Sequence, residues 1–226
     1  RSTNVIVDDR ALYEIYLPAF KAAVQEGKAW AIMGSYNLYK NQHNCHNRYL
    51  LNDILKGEWG FDGVVVSDWG GVHNTEEAIY NGMDMEFGSW TNGLSKGMGN
   101  AYDNYYLAHP YLKQIKEGKI GTKELDDKVR RILRLAFRTT MNRNRPYGAM
   151  LSEEHIAAAR KIGEEGIVLL QNKKNILPID LNRTKKIAVI GENALKMMTV
   201  GGGSSSLKVQ YECSPLDGIK RRIGDG

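Results

Sequence analysis

Two short polar triplets stand out, Ser35-Tyr36-Asn37 and Ser67-Asp68-Trp69. Each closes an apolar run: Ala29-Trp30-Ala31-Ile32-Met33 before the first, Gly63-Val64-Val65-Val66 before the second. An acidic residue beside a large aromatic suits chemistry at a carbon that develops positive charge, such as the anomeric carbon of a sugar. The carboxylate can attack or stabilise that centre, and an indole offers a flat face to C–H groups. The same pair also suits an Asp capping the next helix beside a core Trp. Spacing alone leaves both readings open.

The elements around the triplets alternate. Residues 7–26 carry Leu12, Ile15, Tyr16, Ala19, Phe20, Ala23 and Val24 at helical spacing, with Asp8 or Asp9 at the start and Gly27 after the end. Pro18 implies a kink or two shorter helices. The run 29–33 suits a strand buried on both faces, and its polar end leads into a loop with Asn41, His43 and Asn44. Residues 49–56 form a helix with Leu50, Leu51, Ile54 and Leu55 inward, broken by Gly57 and Gly60. Strand 63–66 follows. A strand–helix–strand unit implies parallel strands, whose polar ends share one rim. In barrels built this way, active sites lie at that rim.

Further helices are expected at 75–81, 107–118 and 122–140, with a third strand at 83–87. In the last helix Val129, Ile132, Leu133, Leu135 and Ala136 make an apolar stripe, while the Lys128–Arg131 group reads as a solvated face. Residues 142–151 have linker chemistry around Pro146 and Gly148. After them come a helix capped by Ser152, a strand at 167–170 and a strand at 186–191 that looks like the first of a new parallel sheet. The expected division is therefore 1–141, a linker at 142–151, and 152–226 as the beginning of a second α/β domain.

Composition excludes several classes. Hydrophobic residues make up 42% and charged residues 25% of the 226, ordinary for a globular chain. No apolar run approaches the roughly 18 residues that cross a bilayer, so no membrane partner is expected. The net charge of +5 is dispersed, without the interleaved aromatics of a nucleic-acid face. The two cysteines, Cys45 and Cys213, make no disulfide framework. His43-Asn44-Cys45-His46 fits no standard zinc spacing. Gly191 stands alone where a dinucleotide loop needs three glycines, and Gly201–Ser206 lacks the lysine of a phosphate loop. No metal and no cofactor are expected.

The segment Lys56-Gly57-Glu58-Trp59-Gly60-Phe61-Asp62-Gly63-Val64-Val65-Val66-Ser67-Asp68-Trp69 resembles the signature of glycoside hydrolase family 3. Tyr16-Leu17-Pro18-Ala19-Phe20, Met33-Gly34-Ser35-Tyr36-Asn37, Glu165–Asn172 with Leu177-Pro178, and Lys186–Gly191 are similar to further family motifs in the same order. The resemblance implies the later part of a (β/α)8 TIM-like barrel followed by the start of a second α/β sandwich domain. It makes Asp68 the catalytic nucleophile of a retaining enzyme that releases terminal β-D-glucosyl residues through a covalent glycosyl-enzyme. Tyr36 would bind the nucleophile or the sugar, Met33 would pack at the same subsite, and Trp69 would form a wall. Arg1 would bind sugar hydroxyls, and Ser204, in the glycine-serine loop, could reach the sugar.

The same resemblance places the acid/base Glu beyond Gly226, and the earlier sugar-binding residues before Arg1. The implied partners are a β-glucoside or oligosaccharide and the remainder of the same enzyme. A homodimer is compatible with the sequence. A periplasmic or secreted location is favoured over a cytoplasmic one. A β-xylosidase of the family, or an inactive sugar-binding relative, is the alternative. Slow fluorosugar labelling separates an enzyme from a binder.

Overall fold

The computed structural model describes residues 2–88, 105–199 and 206–224. The chain divides into two compact units, Arg1–Tyr147 and Gly148–Gly226.

The first unit is α/β. Strands β2 (Ala31–Gly34) and β5 (Val64–Ser67) pair in parallel, with Met33 opposite Val66 and Gly34 opposite Ser67. Successive side chains on a strand point to opposite faces. Ile32 and Val65 pack on the core cluster, whereas Met33 is 60% exposed. The expectation of a strand buried on both faces thus fails for β2, whose second face is open. On the far edge of β5 the expected strand at 83–87 is reduced to one parallel bridge, Val66–Met85. The cause is local: the Val65 amide donates to the Asp84 carboxylate at 2.8 Å, so it is not available to a backbone carbonyl.

The first helical stretch begins with α1 (Asp9–Ala11), capped by Asp8, which accepts from the Ala11 amide at 2.8 Å. It continues as a π-helix (Leu12–Tyr16) and ends as α2 (Pro18–Gln25). Pro18 has no N–H to give. The extra residue of the π turn takes up the break, and the Leu17 amide reaches back to Leu12 O at 2.9 Å. Leu12 and Val24 are buried, but Ile15, Tyr16 and Phe20 of the expected inward stripe are exposed. A second π-helix, Tyr49–Glu58, buries Leu51, Ile54 and Leu55 against Trp59, Phe61 and Val65.

The loop expected after β2 holds a small sheet instead. β1 (Asn4–Val5) pairs in parallel with β3 (Leu38–Tyr39), which forms a hairpin with β4 (Gln42–His43). Both turn residues, Lys40 and Asn41, have positive φ, as a two-residue hairpin turn requires. The Asn4 side chain holds the turn by accepting the Asn41 amide at 2.9 Å and donating to the Asn41 side chain at 2.6 Å.

Helices α3 (Thr75–Tyr80), α4 (His109–Lys116) and α5 (Lys123–Arg138) follow. In α5 the expected faces hold only in part: Ile132, Leu135 and Ala136 of the apolar stripe are half-buried and Arg130 is exposed, but two basic residues turn inward. Lys128 is buried, and its ammonium donates to the carbonyls of Ala78, Ile79 and Met83. Arg131 donates to Phe61 O and Gly63 O at 3.0 and 3.1 Å, and Arg138 forks onto the Asp62 carboxylate. Val129, Leu133 and Phe137 are exposed. Long basic side chains have found backbone acceptors at the end of α3 and in the loop before β5, so they share the inward side of α5 with part of the apolar stripe.

The second unit holds α6 (Glu153–Glu165), two 3-10 turns and α7 (Pro215–Ile223). Ser152 caps α6 as expected, accepting from the His155 amide at 3.3 Å. Residues 167–170 and 186–191 are not strands. A strand exists only through a hydrogen-bonded neighbour, and no described segment of this unit supplies one. Ile167, Leu170 and Ile190 are 78%, 91% and 90% exposed. Among the described residues no helix is long and apolar enough to cross a membrane.

Candidate active site

The C-terminal ends of β2 and β5 form one rim. Asp68 follows β5 directly, and its amide donates to Gly34 O at 3.2 Å, extending the pairing by one residue. By strand alternation it shares the open face of Met33 and Val66. Its backbone then turns sharply: the Gly71 amide donates to Asp68 O at 3.0 Å, and Gly70 has φ of 70°. A type II turn needs a positive φ at its third residue, and glycine supplies it without a steric penalty. The Asp68 carboxylate is half-buried and accepts the Trp69 amide at 2.7 Å.

Tyr36 lies two residues beyond β2, at the same rim, half-buried. Its carbonyl lies 3.1 Å from the His43 Nδ1. Trp69 is 60% exposed, and its ring stacks on Phe87. The structure therefore brings Met33, Tyr36, Asp68 and Trp69 to one end of the two strands. Arg1 and Ser204 lie outside the described residues.

Sequence reasoning missed the residues that hold this rim in place. Cys45 is fully buried beneath it, and its thiol donates to Ser35 O at 3.4 Å. Burial pushes the thiol up to about 11, so it is protonated at neutral pH and acts as packing. Cys45 and Cys213 are both free thiols. The glycines of both motifs fit around Cys45. A Cβ on Gly34 would come within 2.9 Å of its sulfur, and one on Gly71 within 2.6 Å. No periodicity signals such a contact.

Three histidines sit behind the turn. His43 and His73 stack at 3.9 Å between centroids, and His46 is 5.6 Å from His43. His46 Nε2 accepts the His73 amide at 3.2 Å, which fixes the ring proton on Nδ1. That nitrogen lies 2.6 Å from a Glu77 oxygen, off the line of a good N–H···O bond. Burial pushes the pKa of His46 down, against the opposing pull of Glu77, and burial also lowers His73. Among the described residues no group of three or more His, Cys, Asp or Glu side chains has metal-holding geometry.

Beneath the strands, the signature residues are structural. Lys56 pairs with buried Asp84 at 2.7 Å. Trp59 and Phe61 are in the core. Asp62 is held well below the usual carboxylate range by Arg138. A side chain at Gly63 would strike the Trp30 carbonyl and the Phe61 ring.

Residues 2–135 match the glycosyl hydrolase family 3 N terminal domain, and residues 167–225 match the C-terminal domain of the same family. The chain belongs to glycosyl hydrolase family 3. It is 55% identical, over 99% of its length, to beta-glucosidase BoGH3A of Bacteroides ovatus. It is 37% identical over 97% to a beta-glucosidase of Rhizobium radiobacter. The chain spans 30% of the first relative and 25% of the second. Among solved structures, beta-glucosidase 3B of Thermotoga neapolitana with glycerol bound is similar at TM-score 0.80 and 33% identity. That match covers 97% of this chain and 30% of the other. DesR, a beta-glucosidase of Streptomyces venezuelae in complex with D-glucose, gives 0.81 and 30%, covering 100% of this chain and 29% of the other. Membership of family 3 agrees with the α/β architecture of the first unit.

Proposed function

We propose that the protein carrying this chain is a retaining β-glucosidase in which Asp68 attacks the anomeric carbon. One observation carries the reading. In a family 3 chain, Asp68 stands at the C-terminal end of a parallel strand, on its open face, at the rim it shares with Tyr36 and Trp69. The relatives named as beta-glucosidases support the substrate class. In the same reading, β2, β5 and the segment around Met85 are later strands of a (β/α)8 barrel. Residues 142–151 link them to the beginning of a second α/β domain at 152–226.

In the first step the Asp68 carboxylate forms a bond to the anomeric carbon as the glycosidic C–O bond breaks. A general acid protonates the departing oxygen. In the second step water, deprotonated by the same group, displaces Asp68 and releases glucose. Met33 and Val66 floor the sugar site, Tyr36 borders it, and Trp69 walls it. The test is labelling of the complete protein with a 2-deoxy-2-fluoro β-glucoside carrying an activated leaving group. The expected result is one fluoroglucosyl adduct per chain, on the peptide that contains Asp68. An adduct on another carboxylate, or none under turnover conditions, would sink the assignment.

A further inference from the structure

The polar triplet after β2 is held by three consecutive residues, the last of β4 and the first two of the short 3-10 turn that follows it. The Asn44 side-chain amide donates to Ser35 Oγ at 2.8 Å, and the Asn44 backbone amide donates to Asn37 O at 2.9 Å. The Cys45 thiol donates to Ser35 O. The Tyr36 carbonyl, between them, lies 3.1 Å from His43 Nδ1. A carbonyl only accepts, so Nδ1 carries the hydrogen and donates it. His43 also reaches the second strand's loop. Its ring stacks on His73 at 3.9 Å between centroids and 24° between planes. His73 comes two residues after Gly71, whose amide closes the Asp68 turn. The His73 backbone is itself fixed, because its amide donates to buried His46 Nε2 at 3.2 Å. One imidazole thus joins the backbone of Tyr36 to the exit of the Asp68 turn.

We infer that His43 is a positioning residue for the proposed reaction, a brace that keeps Tyr36 and Asp68 in register across the rim. The ladder between the two strands ends at Gly34 opposite Ser67, with one further bond from the Asp68 amide to Gly34 O. Beyond it Tyr36 leads into the hairpin and Asp68 into its own turn, so strand pairing no longer sets their relation. The hydrogen bond from His43 fixes one side, and its stack on His73 restrains the other. A shift of about 1 Å at a reacting centre costs about a hundredfold in rate, so a brace at this point acts on the chemical step. This inference rests on Asp68 being the nucleophile.

Three variants of the complete protein separate the two contacts. His43→Phe keeps a flat ring for the stack and has no N–H for Tyr36 O. His43→Asn keeps a donor near the Nδ1 position and has no ring. His43→Ala removes both. The first readout is the rate at which 4,4′-dithiodipyridine labels Cys45, measured on the peptide that contains it. Cys45 is fully buried beneath the triplet, so labelling reports opening of the clamp. It should quicken about tenfold in His43→Ala and less in the other two. The second readout is turnover of 4-nitrophenyl β-glucoside. In His43→Ala, kcat should fall about ten- to a hundredfold with KM changed less than about twofold, and His43→Phe and His43→Asn should each recover part of kcat. Labelling at the parent rate in all three would overturn the brace. Parent kcat alongside faster labelling, or a loss confined to KM, would overturn the positioning role. If His43→Ala fails to fold, the other two variants decide by the same readouts. Labelling needs no turnover, so it is also read in Asp68→Asn. Turnover that survives Asp68→Asn would remove the nucleophile assignment while leaving the labelling result standing.

Discussion

At the scale of single residues, the proposed mechanism rests on one carboxylate, and one sulfur atom packs beneath it. Asp68→Asn, in the complete protein, should leave the fold intact because the amide is nearly isosteric and can still accept from the Trp69 amide. It cannot supply the attacking anion. Turnover of an aryl β-glucoside should drop by several orders of magnitude, on the order of losing a covalent nucleophile. Steady-state kinetics on the purified variant decide this, and ordinary turnover would disprove it. Gly71 tests the support. An added methyl would meet Cys45 Sγ at 2.6 Å and Asp68 O at 3.2 Å. Gly71→Ala should therefore cost about 1–3 kcal/mol of stability and slow turnover by shifting the Asp68 turn. Cys45→Ala in the same chain should restore part of both, since it removes the sulfur. Denaturant melts of the single and double variants measure the coupling, and strictly additive losses would mean that the sulfur is not the obstacle. The Asp68–Trp69 pair was legible as a candidate because an acid beside an aromatic closes an apolar run, and the family signature around it chose between the two readings that spacing left open. The packing of Cys45 and the His43–His73 stack were not, because they are contacts between segments distant in sequence.

At the scale of elements, sequence pattern found two strands of the first unit and failed for 83–87, 167–170 and 186–191. The apolar runs led to β2 and β5 and to their parallel pairing. The open second face of β2 was not legible, since an apolar run cannot say how many neighbours a strand has. The π turns, the Lys40-Asn41 hairpin turn and the inward Lys128 and Arg131 of α5 depend on backbone partners that side-chain periodicity does not encode. Lys128 makes the point measurable. Its ammonium holds three carbonyls, and burial pushes its pKa down to about 8. Lys128→Met should destabilise by about 2–4 kcal/mol, mostly from unpaired buried carbonyls. Between about 8 and the unfolded lysine value near 10.4, the unfolded chain holds the extra proton. Stability of the parent protein therefore rises with pH across that window relative to the variant. Urea melts at pH 7.5 and 9.5 should show the deficit of Lys128→Met growing, and a constant deficit would contradict the lowered pKa. The histidines behind the turn have the opposite end of the scale. His46 accepts the His73 amide only while neutral. Its folded pKa lies below the ordinary histidine value, so the stability it contributes is present above about 6.5 and is lost as pH falls. Hydrogen exchange should show the protection factor of the His73 amide dropping on the acid side. Protection that stays constant while NMR shows the His46 ring taking up its proton would contradict the bond.

At the scale of the whole molecule, the two units are unequal in what they bury. The first has a defined cluster around Ile54, Val65, Phe61 and Met83, yet Phe20, Met33 and Phe137 are exposed at 55%, 60% and 61%. Among the described residues, no strand pairs with the outer edge of β2. In the second unit the apolar residues of 167–170 stand open. Unpaired edges and apolar patches promote association. The relatives that share this sequence are three to four times its length, by the fractions of 30% and 25% already given. The (β/α)8 barrel proposed above typically takes about 250 residues, whereas the first unit ends at Tyr147. The 226-residue polypeptide, made by itself, should therefore bind a hydrophobic dye, associate as its concentration rises, and fail to hydrolyse cellobiose. Two needs are unmet within it under the proposed mechanism. The sugar site has a floor at Met33 and Val66 but few walls, and a leaving group of high pKa needs a general acid placed against its oxygen. An activated aryl glucoside relaxes only the second need. Residual glycosylation of Asp68 by such a substrate would thus be compatible with the mechanism, while cellobiose hydrolysis would not. Intact mass of the purified polypeptide, followed by both assays on that sample, checks the expectation. Normal cellobiose turnover by a verified 226-residue chain would place the acid/base group within those 226 residues, and the two-step mechanism would have to be rebuilt with a second carboxylate of this chain beside Asp68.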